Sequence, residues 1–476
     1  MSSHRIVVVT PDVLGEKMAG PAIRAWKIAE ALSAEHEVVL LSTVACSRSS
    51  DRFSASFADK KAFVRAVDWA EIVIHQGEIM ATQPSLSKSS VIKVADLYDP
   101  IHLEVIEQSR ALDPDQQLLL WGATLQSVII QIIRCDFFLC ASPKQRDFYL
   151  GHLAARGRLN PATLGPDLSV DSLLAIVPFG IEENSPKKKR SVMRGVVPGI
   201  TDDDYLLLWS GGIYNWFDPL TLLRAVARVV KEIPTTKLVF MGATHPNPNV
   251  PAMQMAQAAR DLSLELGLTD KNVFFLEDWV PYEDRADYLL EADVAVSTHF
   301  AHIETEFSFR TRLLDCFWAS LPVVASSGDS LSAAITEKGA GRIVAPEDER
   351  ALAEALLELG RDREERGRCA ARSGELAADY RWSIALAPLV EFCRNPYRAH
   401  DLSDKKVRNM VIATNGLKIR AGNGIFPLRA RATNFFHLAR RREFKTIKQR
   451  FAIHFSPYNS RESHRRRKAD KVNRGL

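Results

Sequence analysis

The chain alternates short runs of apolar, β-branched residues with longer segments whose apolar residues recur every three to four positions. The runs are typical of strands buried on both faces, and the longer periodicity is typical of helices. Together they predict a parallel sheet covered by helices on both sides. In the first half the predicted strands are residues 5–10, 37–42, 71–75, 91–95, 137–141 and 174–180, with a helix over 21–33.

The alternation restarts after a Lys/Arg-rich stretch, residues 186–190, which we interpret as an interdomain linker. A chain of 476 residues is too long for one ordinary core. In open α/β sheets ligands bind beyond the carboxyl ends of the strands, so two facing sheets predict a cleft. The second-half strands are predicted at 205–209, 237–241, 272–275, 294–297, 323–326 and 341–344, with helices at 219–233, 252–266, 282–292 and 311–320 and a helical region to about Tyr380.

The predicted fold class is therefore α/β, with two Rossmann-like doubly wound domains facing a cleft. We place the first domain at residues 1–185 and the second at 186–380. A helix over 381–400 is expected to return toward the first domain. Residues 401–476 form a basic C-terminal extension in this prediction.

Composition narrows the class of protein. Apolar residues make up 46% and charged residues 25% of the chain, which is ordinary globular composition. Six cysteines without a CxxC pair favour buried thiols in a reducing compartment, and we expect no metal site. The N-terminus is interpreted as a strand and not a signal peptide. The longest apolar segment, residues 118–133, is interrupted by four polar residues and is expected to be a buried helix. These features predict a cytoplasmic protein.

Charge is distributed unevenly along the chain. Residues 401–476 hold 20 Lys+Arg against 5 Asp+Glu, a net of +15, while the remainder carries a net of −11. This asymmetry points to an anionic partner for the tail. A membrane surface contacted through residues 405–468 and nucleic acid are two such partners. A solvated extension without a partner is the third interpretation.

In each of the two predicted domains, a glycine-containing loop follows the first strand. Gly20 stands at a helix start, where backbone N–H groups can approach an anion. It is also compatible with an ordinary loop, and the dinucleotide fingerprint GxGxxG is absent. Gly211 and Gly212 precede Trp216, which suits a flat ring near a helix N-terminus. A tight turn with Trp216 and Phe217 packed inward is the alternative.

Residues 302–312 carry the densest charged pattern before a predicted helix. Arg310 and Arg312 enter the first turn of that helix, where cations are unfavourable unless an anion offsets them. Arginine beside free backbone donors suits a diphosphate. Asp315, three residues after Arg312, can accept hydrogen bonds from ribose hydroxyls, or it can form a surface pair with Arg312.

The segment 96–102 places acid–base groups just past a predicted strand. Asp99 and His102 are suited to general acid–base chemistry at the cleft. Asp99 could equally cap the following helix, and His102 could lack any ligand.

These motifs resemble the GT-B glycosyltransferases, in particular family 4 (glycosyltransferase group 1). That group has a helix resembling E-A-M-A-x-G-x-P-V, and residues 315–323 (D-C-F-W-A-S-L-P-V) match it in register. Residues 339–344 resemble the glycine turn that follows, and residues 177–181 resemble the linker strand. The resemblance spans roughly residues 5–395, and the second half carries most of it.

The chain departs from the family pattern as a divergent branch would. Asp315 stands for the second glutamate of the family pair. Phe307 occupies the position of the first, with Glu304 and Glu306 beside it. Ser320 replaces the helix-end glycine.

A second departure concerns the phosphate site. The family's Arg…Lys pair is missing from residues 211–219. Arg310 and Arg312 are expected to take over that cationic role.

The resemblance implies transfer of a sugar from a nucleotide-sugar donor to a glycan or lipid-linked acceptor, with retention, without a protein-bound metal and with no cofactor. Cell-surface polysaccharide or glycolipid synthesis, at the inner face of the membrane, is the expected setting. A GT-B sugar-nucleotide epimerase or phosphorylase is the alternative, and a nucleic-acid-binding protein is a further one. The catalytic candidates are Asp99, His102, Glu304 and Glu306, and the donor-binding candidates are Gly20, Gly211, Gly212, Trp216, Arg310, Arg312 and Asp315.

Overall fold

A computed structural model describes residues 3–164, 169–242, 245–248, 250 and 253–415. In this part of the chain two parallel β-sheets are each flanked by helices, which confirms the predicted α/β class. The basic extension beyond residue 415 lies outside the described residues.

The first sheet contains seven parallel strands among the described residues, in the order β3-β2-β1-β4-β5-β6-β7. Six of them were predicted from apolar runs. The missed strand, β3, has the sequence Ser-Ala-Ser-Phe and lies at the sheet edge, where no buried apolar run is needed. The strands are β1 (Arg5–Thr10), β2 (Glu37–Ser42), β3 (Ser54–Phe57), β4 (Ile72–Gln76), β5 (Ile92–Asp96), β6 (Phe137–Cys140) and β7 (Leu174–Ile176).

Helices cover both faces of this sheet, and several begin at a capping side chain. Asp113 accepts the backbone N–H of Gln116, and Ser142 accepts that of Gln145. Both helices continue with proline in the first turn, which suits that position. The helices are α1 (Gly20–Leu32), α2 (Lys60–Trp69), α3 (Ile79–Thr82), α4 (Pro84–Lys88), α5 (Ile101–Gln108), α6 (Pro114–Arg134) and α7 (Pro143–Ala155).

Helix α6 differs from the expectation of a buried helix. By length and composition it is the one helix in the described ranges that is long and apolar enough to cross a membrane. Its second half is buried, with Val128, Ile132 and Ile133 in the core. Its first half exposes Leu118 (65%) and Leu119 (47%). The buried-helix interpretation is therefore right only for the second half.

The second sheet repeats the topology with six parallel strands in the described residues, in the order β10-β9-β8-β11-β12-β13. All six were predicted, and β11, β12 and β13 have the predicted bounds. The strands are β8 (Tyr205–Ser210), β9 (Thr236–Met241), β10 (Val273–Leu276), β11 (Val294–Ser297), β12 (Val323–Ser326) and β13 (Gly341–Val344).

The helices of the second half differ from the prediction mainly in short elements. The predicted helix at 282–292 begins with a 3-10 turn at Tyr282–Asp284. A second 3-10 turn, Ala377–Tyr380, ends the helical region. The α-helices are α8 (Pro219–Glu232), α9 (Gln254–Glu265), α10 (Arg285–Glu291), α11 (Ile303–Phe307), α12 (Thr311–Trp318), α13 (Ser332–Lys338), α14 (Glu349–Arg361) and α15 (Arg363–Leu376).

Helix α12 ends at Trp318, and Ser320, which replaces the glycine of the family pattern, lies in the turn that follows. Ser320 has a φ of 50°, in the left-handed region that favours glycine. Its N–H donates to Phe317 O at 3.0 Å, and the Leu321 N–H donates to Cys316 O at 2.8 Å. These two bonds form a Schellman motif, so the helix end keeps the geometry of a glycine cap with a serine in place.

The last described elements return to the first half: α16 (Trp382–Ala385), α17 (Ala387–Arg394), α18 (His400–Ser403) and α19 (Lys405–Thr414). Phe392 stacks on Phe137 at 4.2 Å. Asp401, in the segment predicted as basic tail, accepts a 2.6 Å hydrogen bond from the buried Arg158. Residues 400–415 therefore pack on the first half.

The chain crosses between the halves at two adjacent segments. The Ile181 N–H donates to Tyr380 O at 2.8 Å, and the Trp382 N–H donates to Ile181 O at 3.0 Å. At Gly180 an added Cβ would lie 2.5 Å from the Trp382 ring, so only glycine allows this approach. The two crossings are thus tied together side by side.

Candidate functional site

The loops at the carboxyl ends of the strands meet between the two halves. The side-chain amide of Gln145, in α7, donates to the backbone oxygen of Tyr98 and to that of Phe307, both at 2.8 Å. Tyr98 follows β5 of the first half, while Phe307 ends α11 of the second. One buried amide therefore bridges the two walls of the cleft.

Arg312 lies at the base of the second-half wall. One guanidinium nitrogen donates to Gly212 O at 2.8 Å, and the group lies 4.1 Å from the Phe217 ring centroid. Its Nη1 is buried without a hydrogen-bond partner. Burial lowers the pKa of Arg312 to about 9, so the side chain is charged at neutral pH. Gly211, with a φ of 94°, turns the backbone so that it passes the guanidinium.

Arg310 lies beside it and is balanced by a carboxylate. Its two terminal nitrogens donate to the carboxylate oxygens of Glu304 at 3.0 and 2.7 Å. Both side chains are buried, and Arg310 Nε has no partner. The predicted arginines are therefore brought together, and Glu304 belongs to the same cluster.

Glu306 occupies the opposite face of α11 from Glu304. Residues that are two positions apart on an α-helix point in directions that differ by roughly 200°. The Glu306 side chain is 56% exposed and forms a 3.6 Å ion pair with Lys144 of the first half. It lies at the rim of the cleft and away from the arginines.

The aromatic residues after Gly212 pack inward. Trp216 is 6% exposed and stacks on Tyr214 at 4.9 Å with an interplanar angle of 6°. The Trp216 backbone oxygen contacts His302 Nε2 at 3.2 Å. This arrangement matches the tight-turn alternative for Trp216, with its indole face covered by Tyr214.

Asp315 pairs with a residue that sequence reasoning missed. Its carboxylate accepts a 3.0 Å bond from Arg285 Nε, and no Arg312–Asp315 pair forms. The Arg285 guanidinium lies between the rings of Tyr282 and Trp318, at 3.6 and 4.4 Å. The Asp315 side chain keeps 30% of its surface exposed. A ligand hydroxyl can still reach it.

Gly20 begins α1, whose N-cap residue Ala19 provides no side-chain cap. The nearby carboxylate of Asp12 accepts the N–H of Val13 at 2.8 Å. Asp12 also accepts a 2.8 Å bond from Asn247 of the second half. Burial raises the pKa of Asp12. This carboxylate was missed because nothing in its local sequence marks it.

Asp99 and Glu104 are neighbouring carboxyl groups on the first-half wall, and the charge of Asp99 acts on Glu104. Burial, and after it the charge of Glu304, raise the pKa of Asp99 to about 6. Burial also raises the pKa of Glu104 well above its usual range, followed by the charge of Asp99. Both residues keep partial exposure.

The local structure explains why this pair was only half predicted. Pro100, and not Asp99, is the N-cap residue of α5, and it gives no side-chain cap. The Asp99 side chain is therefore free of the capping role that the sequence allowed. Glu104 was missed, although an acidic residue in a first helical turn was a usable signal.

His102 is 4% exposed and lies on Phe148 at 5.5 Å between ring centroids. Phe148 in turn contacts Phe307 of the second half at 4.4 Å. Among the described residues neither ring nitrogen of His102 has a hydrogen-bond partner, and both nitrogens are buried. Burial lowers its pKa to about 4, so the imidazole is neutral at pH 7. A buried imidazole without partners is a group that a ligand can complete.

Comparison with known proteins adds family information for part of the chain. Residues 204–362 match the family model described as glycosyl transferases group 1. A D-inositol 3-phosphate glycosyltransferase of Thermobispora bispora is 30% identical over 193 residues, covering 40% of this chain and 44% of the relative. One of Stackebrandtia nassauensis is 28% identical over 216 residues, covering 44% and 46%. The chain thus spans less than half the length of these curated relatives.

Solved structures extend the likeness to both halves. The sucrose-phosphate synthase of Thermosynechococcus elongatus superposes with a TM-score of 0.61 at 16% identity, covering 82% of this chain and 98% of that one. HepE of Anabaena, in complex with UDP and glucose, gives a TM-score of 0.61 at 12% identity, covering 82% and 100%. At these identities the likeness shows the fold alone. The chain has the GT-B fold that the sequence predicts.

Proposed function

We propose that this chain, a GT-B protein whose residues 204–362 belong to the group 1 glycosyltransferases, transfers a sugar from a nucleotide-sugar donor to an acceptor hydroxyl. The observation that carries the proposal is the pair Arg310 and Arg312. Arg312 donates to Gly212 O, both guanidinium groups lie over the ring of Phe217, and each has a buried nitrogen without a partner among the described residues. Two partly unsatisfied guanidinium groups in one wall suit a diphosphate.

The proposed chemistry follows from the charge that develops on the leaving group. The bond between the anomeric carbon and the β-phosphate oxygen breaks, and negative charge accumulates on the diphosphate. Arg312 and Arg310 stabilise that charge, in a site where burial strengthens the interaction. HepE was solved with UDP and glucose, which supports a nucleotide diphosphate sugar as the donor class. We propose that the arginines fill this role without a resident metal, and that transfer occurs with retention.

The acceptor side needs a group that takes a proton. The acceptor oxygen forms the new bond to the anomeric carbon on the face that the diphosphate leaves, as retention requires, and its proton passes to the carboxylate of Asp99. A base with a pKa of about 6 is ionised at neutral pH and still takes up a proton readily. We propose that His102, neutral and packed on Phe148, supports this side of the site.

The names of the relatives make an inositol phosphate the acceptor in those proteins. The match covers less than half of each relative, so we do not carry that acceptor over. We propose a glycan or lipid-linked acceptor in cell-surface polysaccharide or glycolipid synthesis, used by a cytoplasmic protein at the inner face of a membrane. The basic composition of residues 405–468 and the exposed leucines of α6 support a membrane contact.

The membrane contact is tested with anionic liposomes at low and high salt. The shortened variant should end at Asn415, because a cut before Asp401 would leave the buried Arg158 without its carboxylate. We expect sedimentation with the liposomes for the full chain and loss of it for the shortened one. A full chain that ignores anionic liposomes at low salt would remove the membrane part of the proposal.

The transferase proposal is tested in two steps. A panel of nucleotide sugars is first screened by thermal shift, because donor binding stabilises the folded state. The donor so found is then incubated with glycan and lipid-linked acceptors, and nucleotide release and sugar transfer are both measured. Release of nucleotide without transfer to any acceptor would favour the epimerase alternative. Absence of any nucleotide-sugar binding would overturn the proposal as a whole.

A further inference from the structure

Asp315 lies about one helical turn after Arg312 on α12. Side chains three positions apart on a helix are neighbours, with Cβ atoms about 5–6 Å apart. A nucleotide whose diphosphate lies at Arg312 can therefore place its ribose beside Asp315. The Asp315 side chain keeps 30% of its surface exposed, so a ligand hydroxyl has access to it.

The Asp315 carboxylate is held on one side only. Arg285, the first residue of α10, donates through Nε to Asp315 Oδ1 at 3.0 Å. Within the described ranges no hydrogen bond reaches the second oxygen, Oδ2. Both oxygens of an ionised carboxylate accept hydrogen bonds. The contact with Arg285 therefore orients the carboxylate and leaves an acceptor for a ligand hydroxyl.

Arg285 is itself fixed on both faces of its guanidinium group. The group lies 3.6 Å from the ring centroid of Tyr282 and 4.4 Å from that of Trp318. Its Nη1 donates to Tyr282 O at 2.8 Å, and the residue is only 6% exposed. A planar group stacked in this way loses little further freedom when it forms a hydrogen bond. It can hold a partner carboxylate in one orientation.

The last nitrogen of Arg285 is not available to a ligand. Nη2 is buried and has no hydrogen-bond partner in the described part of the chain. It lies 3.9 Å from the carboxylate of Glu182 in the linker. Glu182 is in turn bound by Lys27 at 3.0 Å and by the Tyr282 hydroxyl at 2.8 Å. Arg285 can therefore act on a ligand through Asp315 and not by direct contact.

We propose that Arg285 is a positioning residue, which orients the Asp315 carboxylate so that Oδ2 accepts a hydrogen bond from a ribose hydroxyl of the nucleotide. Arg285 thereby sets the preference of the site for ribonucleotides over deoxyribonucleotides. This inference rests on the proposed transferase function and adds a residue that the arginine pair of the phosphate site does not include.

The test measures the Kd of UDP, 2′-deoxy-UDP and 3′-deoxy-UDP for the full-length protein by calorimetry. If the thermal-shift screen returns another base, the same three forms of that nucleotide take their place. We call the larger ratio of a deoxy Kd to the UDP Kd the hydroxyl ratio. A hydrogen bond to a charged group is worth a factor of about 10 to 100 in affinity. We therefore expect a hydroxyl ratio of about 10 or more for the wild type.

Arg285→Met removes the guanidinium group and keeps an unbranched side chain between the two rings. We expect the hydroxyl ratio to fall at least about threefold, with the Kd of the deoxy nucleotide almost unchanged. A merely structural role would weaken all three nucleotides together and leave the ratio in place. Asp315→Asn, which leaves Arg285 between its rings, should lower the ratio in the same way.

Kinetics separate binding from the chemical step. In Arg285→Met the KM of the nucleotide sugar should rise while kcat stays within about threefold, since the ribose contact serves binding. If this variant does not fold, Arg285→Lys decides. Lysine keeps the charge without the planar fork, so the ratio should still fall about twofold or more. A wild-type ratio in the folded variant would overturn the inference.

Arg366→Met is the matched control. Arg366 lies 5.5 Å from the ring centroid of Tyr205, pairs with Asp293 at 3.4 Å and donates to Leu359 O at 2.9 Å. Tyr205 begins β8 and Asp293 precedes β11, so these contacts lie at the amino ends of the strands, away from the cleft. This variant loses the same kinds of contact, and its hydroxyl ratio should equal that of the wild type.

The outcomes separate the inference from the function on which it rests. If the wild type binds neither nucleotide sugars nor their nucleoside diphosphates, the transferase proposal fails and the inference fails with it. If the wild type binds UDP and both deoxy forms equally well, only the inference fails. A high ratio that Asp315→Asn lowers and Arg285→Met leaves intact would remove the positioning role of Arg285 alone.

Discussion

The two halves share one topology and differ in what their strand ends carry. Each sheet places its first strand in the third position of the strand order, so each opens a loop region at the same place. In the first half these loops hold carboxyl groups and a neutral imidazole. In the second half they hold two arginines and an aromatic turn. The repeat thus supplies the same framework twice, while the chemistry is divided between the copies.

Burial acts on the two walls in opposite ways. It raises the pKa of Asp99 and of Glu104, so the first-half wall partly neutralises itself by taking up protons. Arg312 keeps its proton at neutral pH although burial lowers its pKa to about 9, so it remains charged where Asp99 titrates. A similar degree of enclosure therefore gives one wall that titrates near neutral pH and one that stays charged there.

The largest expected effect is the loss of activity when Arg312 is removed from the second-half wall. Arg312→Ala should lower kcat/KM about 100- to 1000-fold, since it removes a donor that stabilises the leaving diphosphate. Steady-state kinetics with the identified donor measure the loss, and thermal unfolding confirms that the variant is folded. Arg312 is preferable to Arg310 here, because removing Arg310 would strand the buried Glu304.

The control for this variant is Arg350→Ala, which removes an exposed arginine paired with Glu354 within α14. Its kinetics should stay within about twofold of wild type, as expected of a surface pair. Kinetics of Arg312→Ala that resemble those of Arg350→Ala would remove the donor assignment of the second half.

The second expected effect is a lower kcat when the Asp99 carboxylate is removed from the first-half wall. Asp99→Asn should lower kcat about 100-fold, because the acceptor proton loses its carboxylate. The Kd of the donor, measured by calorimetry, should change little, since Asp99 lies on the opposite wall. Glu107→Gln serves as the control on the same helix. A weakened donor Kd with unchanged kcat would contradict the division of roles between the halves.

A smaller expected effect is a shift in the pH dependence of kcat/KM. The pKa of Asp99 is raised from 3.8 to about 6, so the carboxylate is lost as the pH falls through 6. The profile of kcat/KM should therefore rise with an apparent pKa near 6 that belongs to the whole cluster. Glu304→Gln removes a negative charge that raises this pKa, so the rising limb should move to lower pH. A limb that stays in place in Glu304→Gln would remove the electrostatic link between the walls.

The raised pKa of Asp99 also makes the free energy of unfolding depend on pH. The folded pKa of Asp99 exceeds the unfolded value, so between about pH 4 and 6 the folded state binds the proton more tightly. This group's contribution to the free energy of unfolding is therefore favourable at low pH and falls as the pH rises through that window.

The smallest expected effect tests the helix end that departs from the family. Ser320→Gly should raise the free energy of unfolding by about 1 kcal/mol, because the left-handed backbone at φ 50° costs a side chain more than glycine. Chemical denaturation measures the change. Ser33→Gly is the control at a helix end with φ −66°, where glycine should lower stability. Equal changes at the two positions would contradict the explanation.

The fold was largely predictable because buried parallel strands appear in the sequence as runs of apolar residues. β1, β2, β11, β12 and β13 have the predicted bounds. The edge strand β3 was missed because solvent on one side removes the need for such a run. The five-residue helix α11 was missed because it is shorter than two turns and its pattern cannot show a period.

The site was predictable where one residue carries its own signal. Two arginines at a helix start stand out in any sequence, and the structure brings them together. Contacts between distant segments leave no such signal. The pairing of Asp315 with Arg285, the bond from Asn247 to Asp12, and the choice between Glu304 and Glu306 all depend on how the chain folds back.

The paired crossings at Ile181 and Trp382 set how the walls can move. Because both connections lie side by side, a rotation of one half against the other would turn about this one short pivot. Such a rotation would open the cleft without breaking either connection. We therefore expect a side chain at position 180, where an added Cβ meets the Trp382 ring, to alter turnover while touching neither ligand.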